Sequence, residues 1–304
     1  MTSTNQTDRT NDDLTVIEIK GPDARSFLQG QLTCDVDELH GELLQHLTGA
    51  HCDSKGRIIS SFQICKSFGQ PEGEDAYLLR MDKDLTAIAI EHLKKYALFS
   101  KVAIDISQHQ SSFHRLHTKE GGKLGFTHRQ AIYSKEGVSL VYWTDRGWIV
   151  ESIGSPLFIE AVQKRYEAEE IDYAFFLQSL AMQSLIYCTA DMSGKWLPHD
   201  LAYQRINAIS FKKGCFIGQE IIARMHYKAT TQKGIGIAVV NHSNAASIKS
   251  EALEFSDGKL IRSLTRGSTL LALLSFRKSL PEAIGIKIED DTIRASIFPP
   301  MPPN

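Results

Sequence analysis

After residue 233 the apolar residues fall into short runs, IGIAVV, TLLALLS, IGIKI and IRASIF, separated by polar loops. Each run is too short for a core helix, and their close spacing suits a small antiparallel barrel or sandwich. Upstream the pattern is mixed. Alternation over Leu14 to Ile19 predicts a strand, and Gly21 with Pro22 starts a short helix through Ser26, Phe27 and Leu28 that Gly30 ends. Apolar residues at Leu85, Ile88, Ala89, Tyr96 and Phe99, with Glu91 one turn ahead of Lys95, predict an amphipathic helix over 84–98. VSLVYW and WIVES bracket Thr144 to Gly147 as an antiparallel hairpin. Ser155 and Pro156 cap and open a helix to about 168, and a second helix follows over 172–186. No fixed-period repeat runs through the chain, so the pattern predicts an α+β protein.

At 304 residues the chain exceeds a single core, and two or three domains are expected. The expected partition is a disordered leader over 1–13, an α+β body of two interleaved domains over 14–232, a β-barrel over 233–298 and an extended tail over 299–304. With 42% hydrophobic and 23% charged residues, the composition excludes disordered, collagenous and coiled-coil chains. The formal net charge of −2 creates no global field toward nucleic acid or an anionic membrane, so a basic surface must be local. The polar N-terminus has no secretory pattern and no apolar run reaches membrane-spanning length, so no membrane association is expected and the cytoplasm is the expected compartment. Five scattered cysteines without CxxC or zinc spacing predict neither disulfides nor a metal site.

Residues 205–233 carry Arg205, Lys212, Lys213, Arg224, Lys228 and Lys233 against the single acid Glu220. Inside this basic stretch lies SFKKGCFIGQEIIARMHY. Gly214 and Gly218 let the backbone turn around Cys215 and Phe216, and the helical composition from Gln219 onward places Cys215 ahead of a helix N-terminus. Lys212, Lys213 and Arg224 folded nearby would favour a thiolate. The alternative is a buried structural cysteine with solvated lysines. HCDSKGR has hairpin-loop residues; His51 and Cys52 there point to opposite strand faces, which suits a satisfied histidine and a buried thiol. His199, after Pro198, is either a loop ligand or part of an ordinary exposed turn.

KGCFIGQE, preceded by ISF and followed by a helix bearing Ala223 and Arg224, resembles the K-G-C-[FY]-x-G-Q-E signature of YgfZ-type folate-binding proteins. GPDARSFLQGQLTCDV, AHCDSKGRIISSF and LKKYALFSKVAI are similar to further segments of that family. The resemblance implies the fold of the glycine-cleavage T-protein, with antiparallel sheets, a C-terminal β-barrel and a tetrahydrofolate site. It also implies a role in iron-sulfur enzyme maintenance, with iron-sulfur client proteins as partners, and through it in tRNA thiomodification. Carried onto this chain, Cys215 is the functional thiol, with Lys213, Gly214, Phe216, Gly218, Gln219, Glu220 and Arg224 as its frame. His51, Asp53, Lys55, Gly56 and Arg57 are secondary members. Two departures stand out. LAMQSLIYC replaces a segment that in the family resembles R-I-E-A-G-I-P and lacks its arginine and glutamate, and Ala202 with Tyr203 replaces an asparagine-leucine pair. The alternative activity is a folate-dependent aminomethyltransferase, and direct nucleic-acid binding is not expected.

Overall fold

The computed structural model describes residues 11–41, 45–71, 74–116, 126–144, 146–182, 185–228, 234–245, 248, 252–276, 280–288 and 291–299. Three antiparallel sheets make up the α+β architecture. The first has the order β2-β3-β4-β1-β5, built from β1 (Leu14–Lys20), β2 (His46–Cys52), β3 (Ile58–Lys66), β4 (Ala76–Asp82) and β5 (Ala103–Ile106). Helices α1 (Ala24–Gln31) and α2 (Thr86–Tyr96) flank it, burying Phe27, Leu28, Ala89 and Leu93. Gly30 lies within α1 rather than ending it; Leu32, in extended backbone, is the C-cap.

The second sheet runs β10-β6-β9-β8-β7 and contains β6 (Gln110–Arg115), β7 (Ala131–Tyr133), β8 (Gly137–Thr144), β9 (Gly147–Gly154) and β10 (Glu169–Ile171). The β8-β9 hairpin closes at Thr144 and Gly147, and Ser155 accepts the Phe158 N–H to start α3 (Pro156–Tyr166). Helix α4 (Tyr173–Ala181) is buried on every face. It is shorter than the helix expected over 172–186: Leu185 N–H turns back to Leu180 O, and Ile186 to Cys188 then continue as non-helical chain through the core. Residues 11–13 of the expected leader form a 3₁₀ turn, while 1–10 lie outside the described residues.

Helix α5 (Gln219–Lys228) precedes the third sheet, β12-β15-β16-β11-β14-β13. This barrel-like sheet comprises β11 (Gly234–Asn241), β12 (Leu253–Phe255), β13 (Lys259–Arg266), β14 (Thr269–Phe276), β15 (Ala283–Ile288) and β16 (Asp291–Phe298), and it encloses a hydrophobic cluster of its own. Strands β12 and β13 escaped the sequence pattern because LEF is too short and KLIRSLTR is charged along its length. A bulge between Leu260 and Arg262 in β13 resets the strand's alternation. It turns Lys259, Arg262 and Arg266 to the face that meets the rest of the protein: Lys259 Nζ lies 4.5 Å from the Trp196 ring centre, Arg262 Nη1 donates to Tyr187 O at 3.2 Å and Arg266 Nε meets Asp172 at 3.4 Å. Among the described residues no helix is long and apolar enough to cross a membrane.

Candidate functional site

The loop preceding α5 is tied to the turn after α1 by a run of hydrogen bonds. Thr33 Oγ1 donates to Ala208 O at 2.6 Å, Ser210 N–H donates to Thr33 O at 2.8 Å and Ile217 N–H donates to Gly30 O at 3.3 Å. Ser210 Oγ accepts the Lys212 and Lys213 N–H groups, tightening the bend that precedes Cys215. Lys213 is buried. Its Nζ donates to Leu32 O and Cys34 O, both at 2.7 Å, and lies 5.2 Å from the Phe216 ring centre. The lysine that was expected to polarise the Cys215 thiol therefore spends its donors on two α1-side carbonyls, because desolvating an ammonium requires such acceptors. Lys212 and Arg224 are exposed. Among the described residues, neither forms an ion pair.

The two sequence motifs meet at Gly218. Its φ of +80° excludes most side chains, and a Cβ there would stand 2.6 Å from Asp53 O and 2.8 Å from Gly56 Cα. Gly56, at φ +73°, packs in turn on Ile221 and Ile222. Gly214 is different: a Cβ there would meet nothing within 4 Å, so only Gly218 is demanded by the close approach. Asp53 shapes the hairpin, since Oδ1 accepts the Lys55 and Arg57 N–H groups at 2.9 and 2.8 Å. Lys55 is exposed, and Arg57 Nη1 donates to Lys195 O at 3.1 Å. His51 is fully buried, with Nε2 3.0 Å from His92 Nδ1, and burial followed by the His92 charge pushes it down to about 3. Phe216 is buried, Gln219 partly exposed and Glu220 exposed in the first turn of α5.

All five thiols are free, and they divide sharply: Cys34, Cys52, Cys65 and Cys188 are buried, whereas Cys215 is exposed. Burial pushes Cys34 up to about 11 despite the Lys213 charge, and it pushes Cys52, Cys65 and Cys188 upward too. An alkylating reagent at pH 8 should therefore modify Cys215 alone in the folded protein and the remaining four only after denaturation. Mass spectrometry of partly labelled protein checks this. Labelling of Cys34 at a rate equal to Cys215 would refute it.

The interior holds a polar cluster that motif reading did not find. Arg80 of β4 and Glu151 of β9 are completely buried and paired twice, Nε to Oε1 at 2.7 Å and Nη2 to Oε2 at 2.9 Å. Ser111 and Tyr142 hydroxyls donate to the two carboxylate oxygens at 2.8 and 2.7 Å. Tyr187 of the divergent LAMQSLIYC segment stacks under Arg80 at 4.6 Å and donates to Gln63 Oε1 at 2.8 Å. The available signal was a lone charge within each apolar strand run, LLRM and IVES. His199, with neither ring nitrogen bonded among the described residues, lies tilted 5.9 Å from the His226 ring and 6.2 Å from that of Phe211 rather than on an open turn. Ala202, at φ +53°, occupies a left-handed position that an asparagine tolerates better.

Three antiparallel sheets in this order, the last of them barrel-like, give the chain a T-protein-like fold. The solved aminomethyltransferase T of the glycine cleavage system from Bartonella henselae superposes with a TM-score of 0.67 over 96% of this chain and 86% of its own, at 11% identity. No established family profile matches the chain. Curated relatives do: the tRNA-modifying protein YgfZ of Colwellia psychrerythraea is 31% identical over 72% of this chain and 67% of its own length. That of Aliivibrio fischeri is 29% identical over 92% and 85%, and that of Escherichia coli O157:H7 is 28% identical over 94% and 86%. The chain belongs to the YgfZ family.

Proposed function

We propose that this protein is a tetrahydrofolate-binding accessory protein for the assembly or repair of iron-sulfur proteins, with Cys215 as its functional thiol and tRNA thiomodification as a downstream beneficiary. One observation carries the reading: of five cysteines only that of the KGCFIGQE loop reaches solvent. The relatives, which are tRNA-modifying proteins by name, and the T-protein fold support it. Iron-sulfur client proteins are the partners it calls for.

A folate needs a cleft for a flat heteroaromatic body and a partner for its carboxylates. Between β1 and β6 lies a cleft of about 400 Å³, within the size range of small-molecule sites. Leu14 and Val16 supply apolar wall, Ser112 a hydroxyl beside Glu170, and Lys83 and Glu170 charges of both signs. Behind the wall, His114 has neither ring nitrogen hydrogen-bonded among the described residues. Ser111 lines the cleft and bonds Glu151, so the cleft borders the buried ion pair. These residues fit the group: Lys83 would hold a carboxylate, and Glu170 would accept from an amino-substituted ring. Bound tetrahydrofolate would supply a reduced pterin able to carry one-carbon units.

Calorimetric titration with tetrahydrofolate should give saturable binding, equal in Cys215→Ser and weakened by Lys83→Gln. In cells lacking the native protein, Cys215→Ser should fold normally yet restore no iron-sulfur enzyme activity. Full rescue by the serine variant, or absence of folate binding, would overturn the proposal. Release of ammonia and methylene-tetrahydrofolate from an aminomethyl-lipoyl carrier would mark an aminomethyltransferase instead.

A further inference from the structure

We infer that the cleft formed by Arg57, Lys195, Trp196 and Lys259 is a seat for a phosphoryl group. The cleft encloses about 270 Å³ where the HCDSKGR hairpin, the segment ahead of Pro198 and the third sheet come together. Each cation arrives on a different element. Arg57 follows the hairpin turn. Lys195 is held by pairing of its neighbours with β3, Gly194 N–H to Ile58 O and Ile58 N–H to Trp196 O, both 2.8 Å. Lys259 opens β13, on the face that the bulge aligns with Arg262 and Arg266.

Three like charges drawn into one concave site repel one another unless an anion joins them. Among the described residues Asp200 is the one acid lining the cleft; it is buried, accepts the Leu197 N–H at 3.1 Å and lies outside ion-pair distance of Lys195 and Lys259. Among the described residues neither Lys195 nor Lys259 has a carboxylate within ion-pair distance. Arg57 uses one N–H on Lys195 O, which fixes the guanidinium while leaving donors of its planar fork for a ligand. Lys259 lies over the buried Trp196 indole, an arrangement that holds the ammonium in place without neutralising it. Ser275, also lining the cleft, adds a hydroxyl. A doubly charged tetrahedral oxyanion offers acceptors to three cations carried on three separate elements, which a singly charged planar carboxylate matches less well. The volume admits a phosphoryl group. The seat adjoins the thiol loop, because Arg57 follows directly on Gly56, which packs against Gly218.

The probes are pyrophosphate, adenosine 5′-monophosphate and a short single-stranded RNA, titrated into full-length protein while following the Trp196 indole N–H resonance. Pyrophosphate should shift that resonance saturably, and Lys195→Gln combined with Lys259→Gln should weaken binding about tenfold or more with the circular dichroism unchanged. Both lysines are exposed, so the variant should fold. Binding of the mononucleotide with no gain for RNA assigns the seat to a soluble phosphate compound. RNA binding that is tighter and whose salt dependence falls in the variant assigns it to a phosphodiester chain. If none of the probes moves the Trp196 resonance, or if the double variant binds as the parent does, the inference fails.

Discussion

Replacing Glu151 with leucine should destabilise the protein by about 3–5 kcal/mol, a large share of the 5–15 kcal/mol typical of a folded domain. The leucine would strand the Arg80 guanidinium at zero exposure and leave the Ser111 and Tyr142 hydroxyls without their acceptor. Burial by itself lowers the Arg80 affinity for its proton, and the Glu151 charge more than reverses this, so the arginine depends on that carboxylate. Three aromatic rings, Tyr187, Phe176 and Phe113, lie 4.6, 5.4 and 5.8 Å from the guanidinium carbon, and they cannot replace a full countercharge. Arg80→Met added to Glu151→Leu should recover most of the loss, because the cost lies in the uncompensated charge rather than in the missing pair. Urea unfolding of the two single variants and the double variant measures this. A single variant within about 1 kcal/mol of the parent would refute the argument.

Acid should unfold the protein from within. His46 and His51 are held neutral by burial, which pushes each down to about 3. His46 is locked in one tautomer, with Nε2 donating to Val141 O at 3.1 Å and Nδ1 accepting from Gln63. In the unfolded chain both titrate near 6.5. Below that pH the unfolded state takes up protons that the folded state refuses. The stability they contribute is thus complete above about 6.5 and is lost progressively as pH falls toward 3. Each histidine removes ~1.4 kcal/mol per pH unit, so the pair would cost on the order of 5 kcal/mol by pH 4.5. His128 and His199, pushed down to about 4 by burial, act in the same direction. Denaturation midpoints should fall steeply between pH 6.5 and 4.5, and His51→Gln should flatten that slope. Stability that stays level from pH 7 to 5 would exclude the mechanism.

Much of this was legible in residue order. Apolar alternation marked β1, turn residues between apolar stretches marked the β2-β3 and β8-β9 hairpins, and short apolar runs between polar loops marked four strands of the third sheet, since each of these signals is set by the few residues that carry it. Ser155 with Pro156 marked the start of α3 for a similarly local reason: a helix N-terminus is satisfied by its own first turn. The glycines of KGCFIGQE pointed to a tight loop around a cysteine, and the fold makes that cysteine the exposed one. The direction of Lys213 was a different matter. Its nearest neighbour in sequence is the thiol loop, but its ammonium is satisfied by carbonyls at Leu32 and Cys34, separated from it by 181 and 179 residues. Arg80 and Glu151, 71 residues apart, are likewise joined only by the packing of two sheets. A bulge at Leu260 decided which face of β13 carries its cations. Backbone periodicity and turn chemistry act over a few residues and are written in the order of the chain. Which acceptor satisfies a buried charge depends on what distant segments bring within about 3 Å, and only the tertiary structure sets that.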